Sequence, residues 1–221
     1  MNENLMEVIC ILDESGSMGT LRNDTIGGFN MYLDSLREID RTVNVTVVTF
    51  NNKHKTLHSG VNVKSLRPLN ESDYKPDGGT ALLDAVGHTI GDVGNRLATM
   101  AESDRPSKVI FFIQTDGEEN QSREFDIEKL KSMVDVQKNT FGWEFIFAGA
   151  NIDAFAAGNS YSFSAASTGN YVANAAGTNN LYRSMGVYTK NLMANTSEEL
   201  AADGMTLSAV MNQVENDIKK S

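Results

Sequence analysis

The 221-residue sequence is poor in residues that staple or stiffen a chain: it has one cysteine, three prolines and one tryptophan. A single thiol excludes an intrachain disulfide. Cys10 sits in the apolar run Val8, Ile9, Cys10, Ile11, Leu12, where a buried structural thiol is expected. Three prolines beside 18 glycines exclude collagen-like architecture. Basic residues are scarce as well: 19 Lys and Arg face 29 Asp and Glu, a formal net charge of -10. That balance disfavours a grip on nucleic-acid phosphates or on an anionic membrane, and favours a bound cation or a basic partner. No apolar stretch approaches the ~18 residues that cross a bilayer. The first residues, Met1-Asn2-Glu3-Asn4-Leu5-Met6-Glu7, are acidic and polar where a secretion signal is basic and then apolar. A cytoplasmic location is therefore expected, and the Asn-x-Ser/Thr triplets at Asn44 and Asn195 are chance composition.

What is present suits one globular domain. Forty per cent of the residues are hydrophobic and 22% are charged, enough apolar surface for a sizeable core. Near-continuous apolar runs at Leu5 to Leu12, Val43 to Phe50, Lys108 to Thr115 and Trp143 to Gly149 predict strands buried on both faces of a parallel sheet. Asn51-Asn52-Lys53 reads as a turn into an antiparallel edge strand from His54 to Val61. Amphipathic stripes lie between the strands. Ile26, Phe29, Leu33 and Leu36 form one, and Leu82, Val86, Ile90, Val93, Leu97 and Met100 form a longer one. Ile127, Leu130 and Val134 form a third. Strands alternating with helices predict an α/β fold, a Rossmann-like doubly wound sheet with right-handed crossovers and helices on both faces.

The region from Ala154 to Tyr182 contains no charged residue and is crowded with Ala, Asn, Ser and Gly. It is expected to be loop, with a short last strand near Tyr161 to Ala165 that would bring the sheet to six strands. A helix carrying Leu181, Met185, Tyr188 and Leu192 should follow, with Thr178 as its cap. Residues 1–194 are then the domain. Residues 195–221 are a linker, Asn195 to Gly204, and a C-terminal helix bearing Leu207, Met211, Val214 and Ile218, expected to pack on the domain.

The first strand runs into Asp13-Glu14-Ser15-Gly16-Ser17-Met18-Gly19. Alternate residues of an extended segment project on one side, so Asp13, Ser15 and Ser17 can converge while the glycines let the backbone turn. A carboxylate with two hydroxyls is a hard oxygen set without the nitrogen and sulfur that select zinc or copper, and Mg2+ fits it best, with Mn2+ or Ca2+ as alternatives. Further ligands should reach the same sheet end from Asp77-Gly78-Gly79-Thr80 and from Thr115-Asp116-Gly117. Ligands of open α/β sheets bind beyond the carboxyl ends of the strands, where the helices change faces. If the first strand and the one starting at Lys108 are neighbours there, Asp13 and Asp116 face each other.

Asp13-x-Ser15-x-Ser17, then Thr80, then Asp116 resemble the metal-ion-dependent adhesion site of von Willebrand factor type A domains, the family of the integrin inserted domains. The resemblance spans about Leu5 to Ala165. Thr25-Ile26-Gly27-Gly28-Phe29-Asn30, Thr115 to Asn120, Gly142-Trp143-Glu144-Phe145 and Gly177-Thr178 resemble a narrower branch of small stand-alone cytoplasmic proteins from bacteria and phages. The family implies Ser15 and Ser17 as direct hydroxyl ligands and Thr80 as a ligand in one conformational state. It implies that Asp13 and Asp116 act largely through waters and hydrogen bonds. It further implies a protein partner whose Asp or Glu carboxylate completes the metal's coordination. Glu14, Asp77, Glu118 and Glu119 read most simply as solvated loop residues, with a negative rim that selects a partner with basic residues beside its acid as the functional alternative. No nucleic-acid or membrane partner is expected, and the chain is expected to be a monomer.

Two rivals are weaker. A Mg2+-dependent hydrolase of the haloacid-dehalogenase type needs a second Asp where this chain has Ser15, and Gly-x-x-x-x-Gly-Lys-Ser/Thr and Gly-x-Ser-x-Gly loops are absent. Packing accounts for the three histidines, His54, His58 and His88, better than catalysis does, so no enzyme activity is expected. The other rival is a structural or assembly role using the uncharged 154–182 region as an interface.

Overall fold

The computed structural model describes residues 1–220 and contains one six-stranded sheet. Its strands are β1 (Asn2–Asp13), β2 (Thr42–Phe50), β3 (His54–Asn62), β4 (Pro106–Thr115), β5 (Glu144–Gly149) and β6 (Thr168–Asn170), in the order β3-β2-β1-β4-β5-β6. Only β2 and β3 pair antiparallel; every other pairing is parallel. The helices are α1 (Arg22–Arg37), α2 (Leu82–Thr99), α3 (Ile127–Phe141), α4 (Ala154–Ser160), α5 (Ala175–Leu192), α6 (Ser197–Ala202) and α7 (Leu207–Lys220).

The near-continuous apolar runs are explained by two cores, one on each face. Val8, Cys10 and Leu12 of β1 and Phe112 of β4 pack against Phe29 and Leu33 of α1, Leu181 and Met185 of α5 and Leu207 of α7. The intervening Ile9 and Ile11, with Phe111 and Ile113, face Val86, Ile90 and Val93 of α2 and Leu130 and Val134 of α3. Each fully buried side chain of this size contributes about 1.5–3 kcal/mol, so neither face of the central strands can be opened to water cheaply.

From β1 the chain crosses to β2 on one side, while β4 lies on the other, so the switch point falls between β1 and β4. Leu12 is in register with Gln114, which puts the ends carrying Asp13 and Asp116 side by side.

Three local expectations are corrected. The last strand is Thr168–Asn170, not 161–165. Tyr161 and Phe163 do alternate with polar residues, but Ser162 between them has φ 67, which breaks an extended chain, and both rings plug the α2/α3 core instead. The uncharged region is not a loose loop. It folds into α4, β6 and the start of α5, because small residues allow close packing: a Cβ on Gly158 would sit 3.0 Å from Thr168 Oγ1. Finally, Asn174 caps α5 by accepting from Gly177 N at 2.8 Å, and Thr178 is buried one turn further on.

Asn195 to Gly204 contains α6, which carries its own capping box on Thr196 and Glu199. The segment is fastened to the sheet: Ser197 Oγ donates to Glu144 Oε2 at 2.8 Å and Lys108 Nζ donates to Asn195 O at 2.8 Å. Beyond it, Leu207, Val210 and Met211 of α7 are buried in the core shared with α1 and α5. Ser221, the end of the expected 195–221 segment, lies outside the described residues.

Candidate metal centre

Asp13 ends β1 and is fully buried. Its Oδ1 accepts from Ser15 N at 2.7 Å and its Oδ2 from Thr115 Oγ1 at 2.6 Å. Its carbonyl accepts from the phenol of Tyr74, which is also fully buried. Beyond Ser15 the chain tightens into a 3-10 turn over Gly16–Leu21, and this places Ser15 Oγ 3.1 Å from Ser17 Oγ. Ser17 Oγ then donates to Asp116 Oδ1 at 2.6 Å, closing a contact across 99 residues of sequence.

Thr80 is delivered by a loop that is held from both sides. Gly16 N donates to Gly78 O at 3.0 Å and Asp77 N to Glu14 O at 2.9 Å, so the loop lies against the end of β1. Gly78 takes φ 76, a left-handed conformation that a side chain disfavours, and Gly79 N donates to Asn52 Oδ1 at 2.6 Å. On its other side the loop is clamped to the β4–α3 connection. Thr80 N donates to Asn120 Oδ1 and Asn120 N donates to Thr80 O, each at 3.0 Å. A Cβ built on Gly117 would lie 3.8 Å from Thr80 Oγ1, which puts that hydroxyl beside Asp116.

α2 has no side-chain cap of its own, and the same connection supplies one. Leu83 N donates to Glu119 Oε2 and Asp84 N to Ser122 Oγ, both at 3.0 Å. In return the Asp84 carboxylate accepts from Arg123, Glu124 and Phe125 N at 2.8–2.9 Å. Burial pushes the Asp84 carboxyl up, but these three N–H bonds outweigh it and hold the group below its usual value. Such reciprocal capping fixes Thr80 and Asp116 relative to each other.

All five predicted residues therefore gather at one sheet end. Ser17 is exposed, while Asp13, Ser15, Thr80 and Asp116 are buried. Burial raises the Asp13 carboxyl, bonds from Ser15 and Thr115 oppose it, and the nearby Asp116 charge raises it further; the net shift is upward. Asp116 is likewise raised by burial, against the bond from Ser17. Among the described residues no Lys, Arg or His forms an ion pair with either carboxylate. Two buried carboxylates among hydroxyls, with no cationic side chain beside them, fit a hard divalent cation. No group of three or more His, Cys, Asp or Glu is drawn together among the described residues, so any further oxygens must come from hydroxyls, water or a ligand.

Three of the four acids of the alternative negative rim are engaged in local hydrogen bonds. Glu119 accepts from Leu83, Gln121 and Ser122 N, Glu14 accepts from Lys75 N, and Asp77 accepts from Gly78 N at 2.8 Å. Glu118 is exposed. Sequence spacing alone does not single out Thr115, Tyr74 or Asn120 as site residues. Thr115 and Asn120 lie in the same run as Asp116, whereas Tyr74 is recognisable only once the fold is known.

No protein-family signature and no curated protein matches the chain. Solved structures do match in shape. Proximal thread matrix protein 1 of the mussel byssus superposes with a TM-score of 0.58 at 12% identity, over 85% of this chain and 46% of that one. A second structure of that protein, with a zinc-occupied metal-ion-dependent adhesion motif, gives 0.56 at 14% identity over 84% and 46% of the two chains. A von Willebrand factor type A protein from Catenulispora acidiphila gives 0.56 at 16% identity over 86% and 43%. The fold is the type A fold. The chain spans under half the length of each of these proteins, and at such identities the likeness extends to fold alone. Within the type A fold the Asp13 to Asp116 cluster occupies the switch-point end of the sheet. No helix among the described residues is long and apolar enough to cross a membrane.

Proposed function

We propose that this protein is a divalent-cation-dependent protein-binding module and not an enzyme. The carrying observation is the closure of Ser17 Oγ on Asp116 Oδ1 at 2.6 Å, beside Asp13 and, among the described residues, with no basic side chain paired to either acid. Ser15, Ser17 and Thr80 would offer hydroxyl oxygens, with Asp13 and Asp116 supplying negative charge and orienting hydrogen bonds. Mg2+ is the best match for this set, and when bound it would offer an open position to a partner's Asp or Glu carboxylate. Thr115 and Tyr74 hold Asp13 in place, and Asn120 holds the Thr80 loop. Among the described residues no histidine hydrogen-bonds to any of the five, so neither serine has the histidine partner of a Ser-His nucleophile, which supports binding over turnover.

Calorimetric titration with Mg2+ tests the site. The wild type should bind, while Asp13→Ala and Ser15→Ala should lose binding and keep their far-ultraviolet dichroism. Unchanged Mg2+ affinity in both variants would sink the proposal. Capture of a protein partner should likewise be present with Mg2+ and absent with EDTA.

A further inference from the structure

The uncharged stretch that the sequence made conspicuous leaves β6 at the carboxyl end of the sheet, the end that carries Asp13 and Asp116. There, between α5, α7 and the end of β6, lies a groove of about 510 Å³ lined by Phe155, Tyr171, Val172 and Met211. Phe155 is 40% and Val172 65% exposed, so two large apolar side chains on the lining of one groove meet solvent.

Their exposure is built in. Asn174 N donates to Val172 O at 2.8 Å, and a Cβ on Gly177 would come within 2.1 Å of that same oxygen, so the first turn of α5 fits over Val172 only because position 177 is glycine. Asn170 Oδ1 accepts from Ala154 N at 3.1 Å, tying the start of α4, and with it Phe155, to β6. Tyr171 is fixed from below by Gln114 Nε2 on its hydroxyl at 3.2 Å and by its own N–H on Gly149 O at 3.0 Å.

Charge says what such a groove accepts. In a chain of net charge -10, residues 154–182 carry no charge, and the groove's two charged lining residues, Glu215 and Lys219, pair with each other at 2.6 Å. The walls thus reject neither sign in particular and reward apolar surface. Location says how far it is from the metal centre. Asp116 follows β4 and Tyr171 follows β6, with β5 alone between them. From Tyr171 that is two interstrand spacings, about 10 Å, to Asp116, and three, about 14 Å, to Asp13 at the end of β1, the span of roughly three to four extended residues.

We propose that this groove holds an apolar side chain of the protein partner whose carboxylate addresses the Asp13/Ser15/Ser17/Thr80/Asp116 centre, three or four residues away on one extended segment. The inference rests on the binding role proposed above for that centre. The carboxylate would provide cation-dependent attachment and the groove would provide selectivity, with little ordering cost because the groove is preformed.

A phage-displayed random-peptide library, panned on the full chain with Mg2+ and in parallel with EDTA, tests it. Mg2+-dependent binders should carry Asp or Glu with Phe, Leu, Ile or Met three or four positions away. The best of them, made as a free peptide, should bind the doubly substituted Phe155→Ser/Val172→Ser protein about tenfold more weakly. Asn212→Arg, a charge placed on the exposed groove rim, should weaken it in the same direction. Mg2+-dependent binders with an acid but no positioned apolar residue, or wild-type affinity retained by both groove variants, would overturn the groove and leave the metal reading standing. Binders indifferent to EDTA would overturn both, since the groove is proposed as part of a metal-anchored contact.

Discussion

The two ends of the central sheet treat buried carboxylates in opposite ways. In the amino-terminal halves of the strands, Glu7 is 1% exposed and receives Arg96 together with Thr46 Oγ1 at 2.9 Å. Glu144 is 7% exposed and receives Lys108 Nζ at 3.4 Å and Ser197 Oγ at 2.8 Å. At the carboxyl ends, Asp13 and Asp116 are as deeply buried, yet hydroxyls and N–H groups are their only partners among the described hydrogen bonds. A buried charge costs several kcal/mol unless compensated. One end carries its compensation in the sequence; the other shows no cationic partner among the described residues, and the proposed function has it come from solution.

The largest expected effect is at the compensated end. Arg96→Met should strand Glu7 and cost about 3 kcal/mol of unfolding free energy, read from urea denaturation with an unchanged slope. Combining it with Glu7→Gln should recover part of the loss, because no uncompensated charge then remains. If Arg96→Met were neutral, the contrast between the two ends would disappear.

Asp116→Asn should behave in the opposite way. Asparagine keeps an oxygen for Ser17 Oγ and removes a carboxylate that burial disfavours. Without divalent cation the variant should therefore be as stable as the wild type or more so. With Mg2+ at a hundred times its dissociation constant, the wild type should gain about 2.7 kcal/mol and the variant almost nothing. A loss of stability in EDTA would mean that Asp116 is a structural acid, like Glu7.

This contrast also separates what the sequence made legible from what it hid. Asp13, Ser15, Ser17, Thr80 and Asp116 were readable because they stand at strand and loop ends, where hydrophobic periodicity stops and spacing alone orders the side chains. The parallel sheet, its antiparallel edge and the two helix layers followed from runs whose alternate residues feed opposite cores. The reciprocal clamp of Asp84, Glu119 and Asn120 stayed hidden, since nothing in an acidic, polar run says which carboxylate caps a helix and which faces water. Ser162 misled for a related reason: one residue with positive φ turns an alternating strand pattern into an aromatic plug.

A third way to manage a buried charge is not to carry it. His54 at the start of β3 stacks on His88 of α2, with ring centroids 4.7 Å apart, and His88 Nε2 lies 2.9 Å from Glu124 Oε2. Burial, then the neighbouring His88, hold the His54 imidazole below its ordinary value of 6.5, against the pull of Asp92, Glu124 and Asp84. Between the folded value and 6.5 the unfolded chain binds more protons, so stability rises with pH through that window and is lost as pH falls below 6.5. His54 is partly open to solvent, so this effect should be the smallest of the series. His54→Asn should flatten the dependence of melting temperature on pH between about 5 and 7. An unchanged slope in His54→Asn would assign that pH dependence to other groups. A steeper one would mean that the three acids outweigh burial, which would put His54 with the compensated charges.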